Sequence, residues 1–324
     1  MAISNVNTAW KNDLYPLVEQ TFDYQYENFM NIIKQVISEE DSKSIDYRLE
    51  GLGGYGELPN YDGSQLVGMN QKRGFVTIIN PQEKAGSIDI QRRYANTDKS
   101  GEAKKAGTRA AYSVAMTVYL ASLRMFGRAF NGAYLGGDGQ SWASAAHPIA
   151  SKGDANGVST IDTDAGTFSN LLTGKLSVPN ISLAQTTANR YITPDGLPFK
   201  CDMSANGLLL VSPELEPKAK EICGPNSKLI PEKLPESAEN GANPLYGLQY
   251  IVIGGGADGF QASQWAICDK TLISQIAKIV YVERPTVLRA DLDNPLIARI
   301  VPYVDFGVGF ADARPIVFST GTTN

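Results

Sequence analysis

The chain has 324 residues, 43% of them hydrophobic and 19% charged, with a formal net charge of -5. That is enough apolar material for about two domains, and it excludes a disordered polymer. The acidic balance argues against a broad grip on nucleic acid, which needs an excess of Lys and Arg facing the phosphates.

Residues 10 to 37 place Leu14, Leu17, Val18, Phe22, Phe29, Ile32, Ile33, Val36 and Ile37 mostly at three- and four-residue steps, which predicts one or two amphipathic helices. They form an N-terminal arm with one apolar face, expected to reach a neighbouring subunit rather than to pack on its own domain. From Gly51 to Gly74 seven glycines, with Pro59 and Asn60 among them, replace any apolar period. A long flexible tip is implied. Strand-like runs flank it, Ser44 to Glu50 before and Gly74 to Tyr94 after, so the whole reads as a hairpin projecting from the body. A two-stranded ribbon is marginal alone in water, so another surface must hold it, most simply a second copy of the chain.

Asp98 to Phe130 has helical spacing behind a Thr97-Asp98 cap, and at about 1.5 Å per residue would span roughly 45 Å, long enough for a strut. Gly107 and Gly127 weaken this helix without ending it. A Gly/Ser/Ala-rich loop then runs to Ile161, followed by a helical stretch from Phe168 to Thr187 interrupted near Pro179. Leu208 to Val211 reads as a buried strand, and Glu214 to Cys223 as a helix capped by Ser212 with Pro213 in its first turn. From Tyr246 onward strands dominate: Leu248 to Ile253, Gln264 to Cys268, Ile276 to Val282, Leu296 to Phe306 and Arg314 to Ser319. The fold class is α+β.

Chemistry-bearing residues are sparse. Cys201, Cys223 and Cys268 are an odd number without CxxC spacing, which suits reduced thiols in a cytoplasmic compartment rather than a disulfide framework or a zinc site. His147 is the only histidine, and it precedes Pro148 in a small-residue loop, so histidine-based metal sites and triads have little to work with. Gly254-Gly255-Gly256-Ala257-Asp258-Gly259 matches GxGxxG formally, but the polar stretch Phe260 to Trp265 is too short to open the helix a dinucleotide site requires. A turn between strands accounts for it better. Asp154-Ala155-Asn156-Gly157 with Asp162 and Asp164 lacks the alternating ligands and distal Glu of a calcium loop, and Arg92 and Arg93 read as ion-pair partners rather than a nucleic-acid patch. No catalytic, cofactor-binding or metal-binding residue is assigned, and no cofactor is expected. The start, Met1-Ala2-Ile3-Ser4-Asn5, lacks a signal-peptide pattern, and no run approaches the roughly 18 apolar residues of a membrane span, so no membrane partner is expected.

The order of arm, Gly-tipped hairpin, long helix, α+β domain and terminal strands resembles phage major capsid proteins of the Hong Kong 97 fold, closest in local style to the major head subunits of Mu-like phages. The stretches that carry this are Ile88-Asp89-Ile90-Gln91-Arg92-Arg93, Gly137-Asp138-Gly139-Gln140 and Ala146-His147-Pro148, then Leu208 to Glu216, Trp265-Ala266-Ile267-Cys268-Asp269 and Asp312-Ala313-Arg314-Pro315. Each is weak alone, and their joint order over nearly the whole chain is the signal. The resemblance implies an N-terminal arm at 1–43, an extended loop at 44–96, a peripheral domain with a spine helix at 97–160, an axial domain at 161–275, and terminal strands at 276–324 that return to the peripheral domain. It implies a structural, non-enzymatic subunit that self-assembles into pentamers and hexamers of an icosahedral head. That head encloses double-stranded DNA without sequence-specific contact and is assembled in the host cytoplasm. A separate scaffolding protein, a portal and a decoration protein are the implied partners, since 43 residues before the loop are too few for a large cleavable scaffolding region. An encapsulin-like compartment shell is the alternative on the same fold. Some family members crosslink a loop lysine to an asparagine, and Lys72 and Lys84 lie in the corresponding segment, but loop lysines are ordinarily solvated charges and no crosslink is expected.

Charge is unevenly spread. Residues 1–62 carry four basic side chains against eleven acidic ones, and residues 63–110 carry nine against four. Such asymmetry is expected to steer ring formation between copies.

Overall fold

The computed structural model describes residues 9–30, 33–61, 63, 66–69, 71–93, 101–155, 158–224, 245–254, 258–290, 294 and 296–323. In chain order the elements are α1 (Ala9–Met30), β1 (Ser38–Asp41), β2 (Tyr47–Glu50), β3 (Val76–Ile79), β4 (Gln82–Ala85), β5 (Ile88–Gln91) and α2 (Glu102–Gly127). They continue as β6 (His147–Pro148), β7 (Ser151–Ala155), β8 (Val158–Ile161), β9 (Thr167–Phe168), β10 (Leu171–Gly174), α3 (Val178–Ala188), β11 (Gly207–Val211) and α4 (Glu216–Cys223). The last are β12 (Gln249–Val252), β13 (Trp265–Asp269), α5 (Lys270–Ile276), β14 (Ala277–Ala290), β15 (Ile297–Phe310) and β16 (Ile316–Thr323). The chain divides into two compact units: Met1–Tyr47 with Ile79–Ser122 and Ile279–Val308, and Arg48–Ile78 with Leu123–Lys278 and Gly309–Asn324.

In the first unit the strand order is β1-β14-β15-β4, with β5 also on β15. Antiparallel pairing sets Tyr303 to Phe306 of β15 against β4, and Ile297 to Ile300 against β5. Along β15 the even-numbered residues Ala298, Ile300, Val304 and Phe306 are buried, the period-two pattern of a strand with one covered face. Helix α1 helps to cover this sheet. Its stripe Leu14, Val18, Phe22, Tyr26 and Met30 repeats every four residues and is buried, and the Tyr26 hydroxyl lies 3.0 Å from that of Tyr281 on β14. Arg289 holds Glu19 at 3.0 Å and stacks over Tyr15, and Arg284 holds Glu39 and Asp41 at the edge of the sheet.

The sequence favours an arm that reaches a neighbour, but α1 packs within its own chain. The reason lies in α2, whose Gly107 sits where a Cβ would come within 2.9 Å of the Val18 carbonyl oxygen. Its missing side chain lets the two helices meet backbone to backbone at Val18, while the stripe reaches Tyr281 of the sheet through Tyr26. Residues 31–32 lie outside the described part, and a 3-10 turn at Ile33–Gln35 follows.

Helix α2 has 26 residues and so spans about 39 Å. The Thr97-Asp98 cap expected for it lies outside the described residues.

The second unit is built on a mixed sheet in the order β10-β16-β13-β11-β12, in which β10 runs parallel to β16 and β12 parallel to β11. Strands β11 and β13 are buried almost throughout, as central strands covered on both faces must be. One face packs Leu209, Val211, Trp265, Ile267 and Val317 against Ile181, Ala184 and Ala188 of α3 and Ala219 and Ile222 of α4. On the other, Phe318 meets the rings of Phe130 and Trp142 edge-on at 5.6 and 5.4 Å.

Two expectations about strands are corrected, one in each unit. Phe168 to Gly174, expected to be helical, is strand: Leu171 pairs with Phe318, and the helix starts only at Val178, with Pro179 in the first turn where a missing N–H costs nothing. Strand β14 continues eight residues past Val282, through Glu283, Arg284 and Pro285, a charged and proline-containing stretch that reads as a break in the sequence.

Gly107→Ala gives a test of the α1 contact. Helix propensity alone favours alanine by about 1 kcal/mol, but the added methyl collides with the Val18 carbonyl, so the variant is expected to unfold at lower urea concentration than the parent. A midpoint raised by the substitution would show that the helices do not meet there.

Candidate functional site

The expected hairpin, with arms Ser44 to Glu50 and Gly74 to Tyr94, exists in part, because Gln82–Ala85 and Ile88–Gln91 of its second arm pair with β15 instead. Strands β2 and β3 pair, Gly51 N–H donates to Phe75 O at 2.8 Å, and Gly54 and Lys72 exchange backbone hydrogen bonds of 3.1 and 2.9 Å. Its glycines, expected as a source of flexibility, fall into two kinds. A Cβ at Gly74 would lie 2.5 Å from the Gly51 carbonyl oxygen, and one at Gly53 would run into the Lys72 carbonyl. At the neck, then, glycine lets two backbones lie against each other, and a bulkier residue forces them apart. Gly54 rests on the Asp195 carboxylate, where a Cβ would lie 2.6 Å from Oδ2, and Gly56 has φ +78°. Gly63 and Gly68 face open space. The tip exposes Leu58 (80%), Leu66 (88%), Tyr55, Tyr61 and Val67. A patch of large apolar side chains at the end of a ribbon is the signature of a contact surface.

A buried polar knot lies at the root of this ribbon. The Asp312 carboxylate, 6% exposed, accepts from Arg314 Nη1 at 2.7 Å, from the Arg314 N–H at 3.0 Å and from the Leu52 N–H of the ribbon at 3.2 Å. Arg314 spends its other donors on the carbonyls of Ile149 (2.6 Å) and Ile192 (3.0 Å) and lies over the ring of Phe168. Beside it Asn170 donates to the Trp142 and Ala313 carbonyls and accepts from the Ser144 N–H, while Trp142 Nε1 donates to Asp312 O. His147, fully buried, sets Nδ1 2.5 Å from Asp138 Oδ2 and stacks on Phe168.

Two neighbouring stretches, Gly137-Asp138-Gly139-Gln140 and Ala146-His147-Pro148, meet a distant one here, Asp312-Ala313-Arg314-Pro315. The first also seats β3, because Gly137 N–H donates to Thr77 Oγ1 at 3.0 Å and its Cα packs against the Val76 carbonyl, leaving no room for a Cβ. Burying two charges is costly, and only full hydrogen bonding repays it. The sequence offers no sign of this pairing beyond the short Asp312-to-Arg314 spacing, since the other partners are backbone carbonyls.

The remaining motifs have structural roles. Strands β12 and β13 flank β11, so the GxGxxG stretch belongs to a crossover rather than a hairpin, and residues 259–264 lead into β13 with no α-helix. Its described glycines permit close approach: a Cβ on Gly259 would lie 2.6 Å from the Ile253 and Gly254 carbonyls, and one on Gly127 of α2 would lie 2.6 Å from Asp258 O. Arg124 of α2 grips Asp258 with two bonds of 2.8 and 3.1 Å and so holds that carboxyl below its usual range. Residues 255–257 lie outside the described part, as do Asn156 and Gly157. Asp162 caps a 3-10 turn by accepting from the Asp164 N–H, and Lys152 bridges both carboxylates. Lys84 sits on β4 against Val304 of β15, and Arg92 extends the β5 pairing through its N–H to Leu296 O. Lys72 is exposed at the ribbon neck. Burial pushes the thiols of Cys223 and Cys201 up to about 11 and about 12, and Cys268 further, so all three stay protonated and unreactive near neutrality.

No protein-family model matches the chain, and no curated protein matches it. Among solved structures, the capsid of a native GTA particle superposes with a TM-score of 0.50 at 12% identity, over 89% of each chain. The capsid of cyanophage P-SCSP1u gives a TM-score of 0.50 at 10% identity, covering 89% of this chain and 87% of that one. The chain has the phage capsid fold. The phage capsid fold is reached here with hardly any shared sequence.

Arg314→Met tests the knot. It keeps the bulk but strands the Asp312 carboxylate out of water, and removing one partner of a buried pair costs about 3 to 5 kcal/mol. The substitution is expected to lower the unfolding free energy by that order in denaturant titrations; a loss under about 1 kcal/mol would show that the pair is not held out of water.

Proposed function

We propose that this chain is the shell-building subunit of a tailed-phage head, assembling into pentamers and hexamers of an icosahedral capsid around double-stranded DNA. The observation that carries the reading is the ribbon: a clamped neck and a tip whose large apolar residues find no cover in the described chain. On this reading residues 44–96 lie across a sister subunit, residues 97–160 with 276–324 form the peripheral domain, and residues 161–275 form the axial domain around the five- and six-fold axes. The protein is then a virion component without enzymatic activity, served by a separate scaffolding protein, a portal and a decoration protein. Among the described residues no group of three or more His, Cys, Asp or Glu is placed to hold a metal ion, and no helix is long and apolar enough to cross a membrane.

A closed ring needs heterologous contacts whose rotation closes, and a shell needs one subunit that tolerates two surroundings. A stiff neck with a pliant tip suits both demands, since the neck sets direction and the tip adapts. Charge supplies steering, although Glu19, Glu39 and Asp41 of the acidic arm already bind Arg289 and Arg284 of their own chain.

Deleting residues 57–70 while keeping the neck is expected to leave a folded subunit, by circular dichroism and unfolding midpoint, that forms no shells under electron microscopy. Normal particles from the deletion would overturn the role given to the tip. Shell yield from the full chain is expected to fall as salt rises from about 0.05 to 1 M, as screening removes the steering; a flat yield would remove the electrostatic part alone. Particles that enclose protein cargo instead of DNA would point to a compartment shell.

A further inference from the structure

Outside the ribbon tip, the described large apolar side chains that stand exposed are single in sequence, except for Tyr134 and Leu135, which are 45% and 57% exposed and follow each other directly. They do not sit on a loose loop. On one side the Tyr134 N–H donates to Asn131 O at 3.0 Å and the Ala133 N–H to Asn131 Oδ1 at 3.0 Å. On the other, Leu135 bridges Ser141, the Gly136 N–H donates to Gln140 O at 2.7 Å, and the Gly139 N–H donates to Gly136 O at 3.1 Å. Gly136 lies so close to Phe310 that a Cβ would come within 2.9 Å of the ring, and Phe310 stacks at 4.5 Å on the buried Trp142. A turn fastened on both sides therefore holds two apolar side chains toward water. Such a patch is preformed, so covering it costs little ordering.

The patch also carries a cation in surplus. Arg128 Cζ lies 4.3 Å from the centre of the Tyr134 ring, while the Asp258 carboxylate is taken by Arg124 through two bonds, and Arg128 makes no salt bridge among the described residues. The ribbon tip is its complement. There the exposed Tyr55, Leu58, Tyr61, Leu66 and Val67 surround Glu57, an exposed carboxylate without an ion pair among the described residues. Tip and patch belong to the same unit of the chain, and both stand exposed in it, so neither covers the other. A head-to-tail contact between copies needs two unlike patches on one chain that fit each other. Aromatic and aliphatic side chains with one anion on the tip, and with one cation on the turn, meet that need.

We infer that Tyr134, Leu135 and Arg128 form the seat on which the ribbon tip of a second copy docks, with the second copy's Glu57 set against Arg128. The inference rests on the shell reading above and names the surface that the ribbon meets. The seat adjoins the root of its own chain's ribbon, since two residues past Leu135 the Gly137 N–H donates to Thr77 Oγ1 and Gly137 packs on the Val76 carbonyl of β3. Each copy thus receives a tip beside the place where its own ribbon departs. Repeated from copy to copy, that arrangement is heterologous and closes into a ring when its rotation allows.

Crosslinking between copies tests the seat, because the native thiols are all buried. Full-length Leu66→Cys and Leu135→Cys chains are mixed, assembled and treated with a short bismaleimide. The mixture is expected to yield severalfold more crosslinked dimer than either variant alone. Particles that form from the mixture, seen by electron microscopy, without that excess would overturn the seat and leave the shell reading standing; a parent chain that forms no particles would overturn both. A second measurement needs no thiol. Arg128→Glu and Glu57→Arg are each expected to lower particle yield by about threefold or more, with the unfolding midpoint of the parent, and the double variant is expected to recover it. Unchanged yields in the single variants, or losses that persist in the double one, would overturn the pairing of Glu57 with Arg128.

Discussion

A carboxylate and a guanidinium sealed from water persist only when hydrogen-bond partners replace the solvent, and Asp312 with Arg314 finds them by drawing in five other parts of the chain. Leu52, Ile149, Ile192, Trp142 and Phe168 each touch the pair, through a backbone group, an indole or a ring face. The pair thereby fixes where those segments must run. A hydrophobic contact at the same place would tolerate a shift of an ångström; these hydrogen bonds, between 2.6 and 3.3 Å, would not.

The ribbon inherits its direction from this knot. Two strands without a core of their own would wander, yet Leu52 is bonded to Asp312, Gly74 lies on Gly51, and Gly54 rests on Asp195. The base is held by close backbone contacts, whereas the described large apolar side chains beyond Gly56 stand exposed.

Much of this was legible from residue patterns, and the failures have identifiable causes. The long helix, the buried Leu208 to Val211 strand, the hairpin and the alternation along β15 follow from period and turn residues, and all are present. What period cannot show is which surface answers an apolar stripe. Helix α1 carries the same stripe whether its partner is a sister subunit or α2, and the deciding residue, Gly107, lies some ninety positions away. Leu171 and Leu172 fit a helix or a strand equally over so short a run, and pairing with Phe318 and Ser319 decides for strand. The knot was the least legible part. Asp138, His147, Asp312 and Arg314 were visible as members of short family-like stretches, but their convergence depends on backbone carbonyls, which carry no sequence signature.

Strand β16 has a consequence for the order of events during synthesis. It lies between β10 and β13, so the sheet of the second unit is split until residues 316–323 arrive, although every other strand of that sheet has by then been made. The first unit is in the same position, because β15 joins β14 to β4 and β5 and emerges long after both of the latter. A nascent chain on the ribosome therefore holds two incomplete sheets until β15 has been translated, and one until β16 follows. A fragment that stops short of β15 can close neither sheet, and one that stops short of β16 can close only that of the first unit.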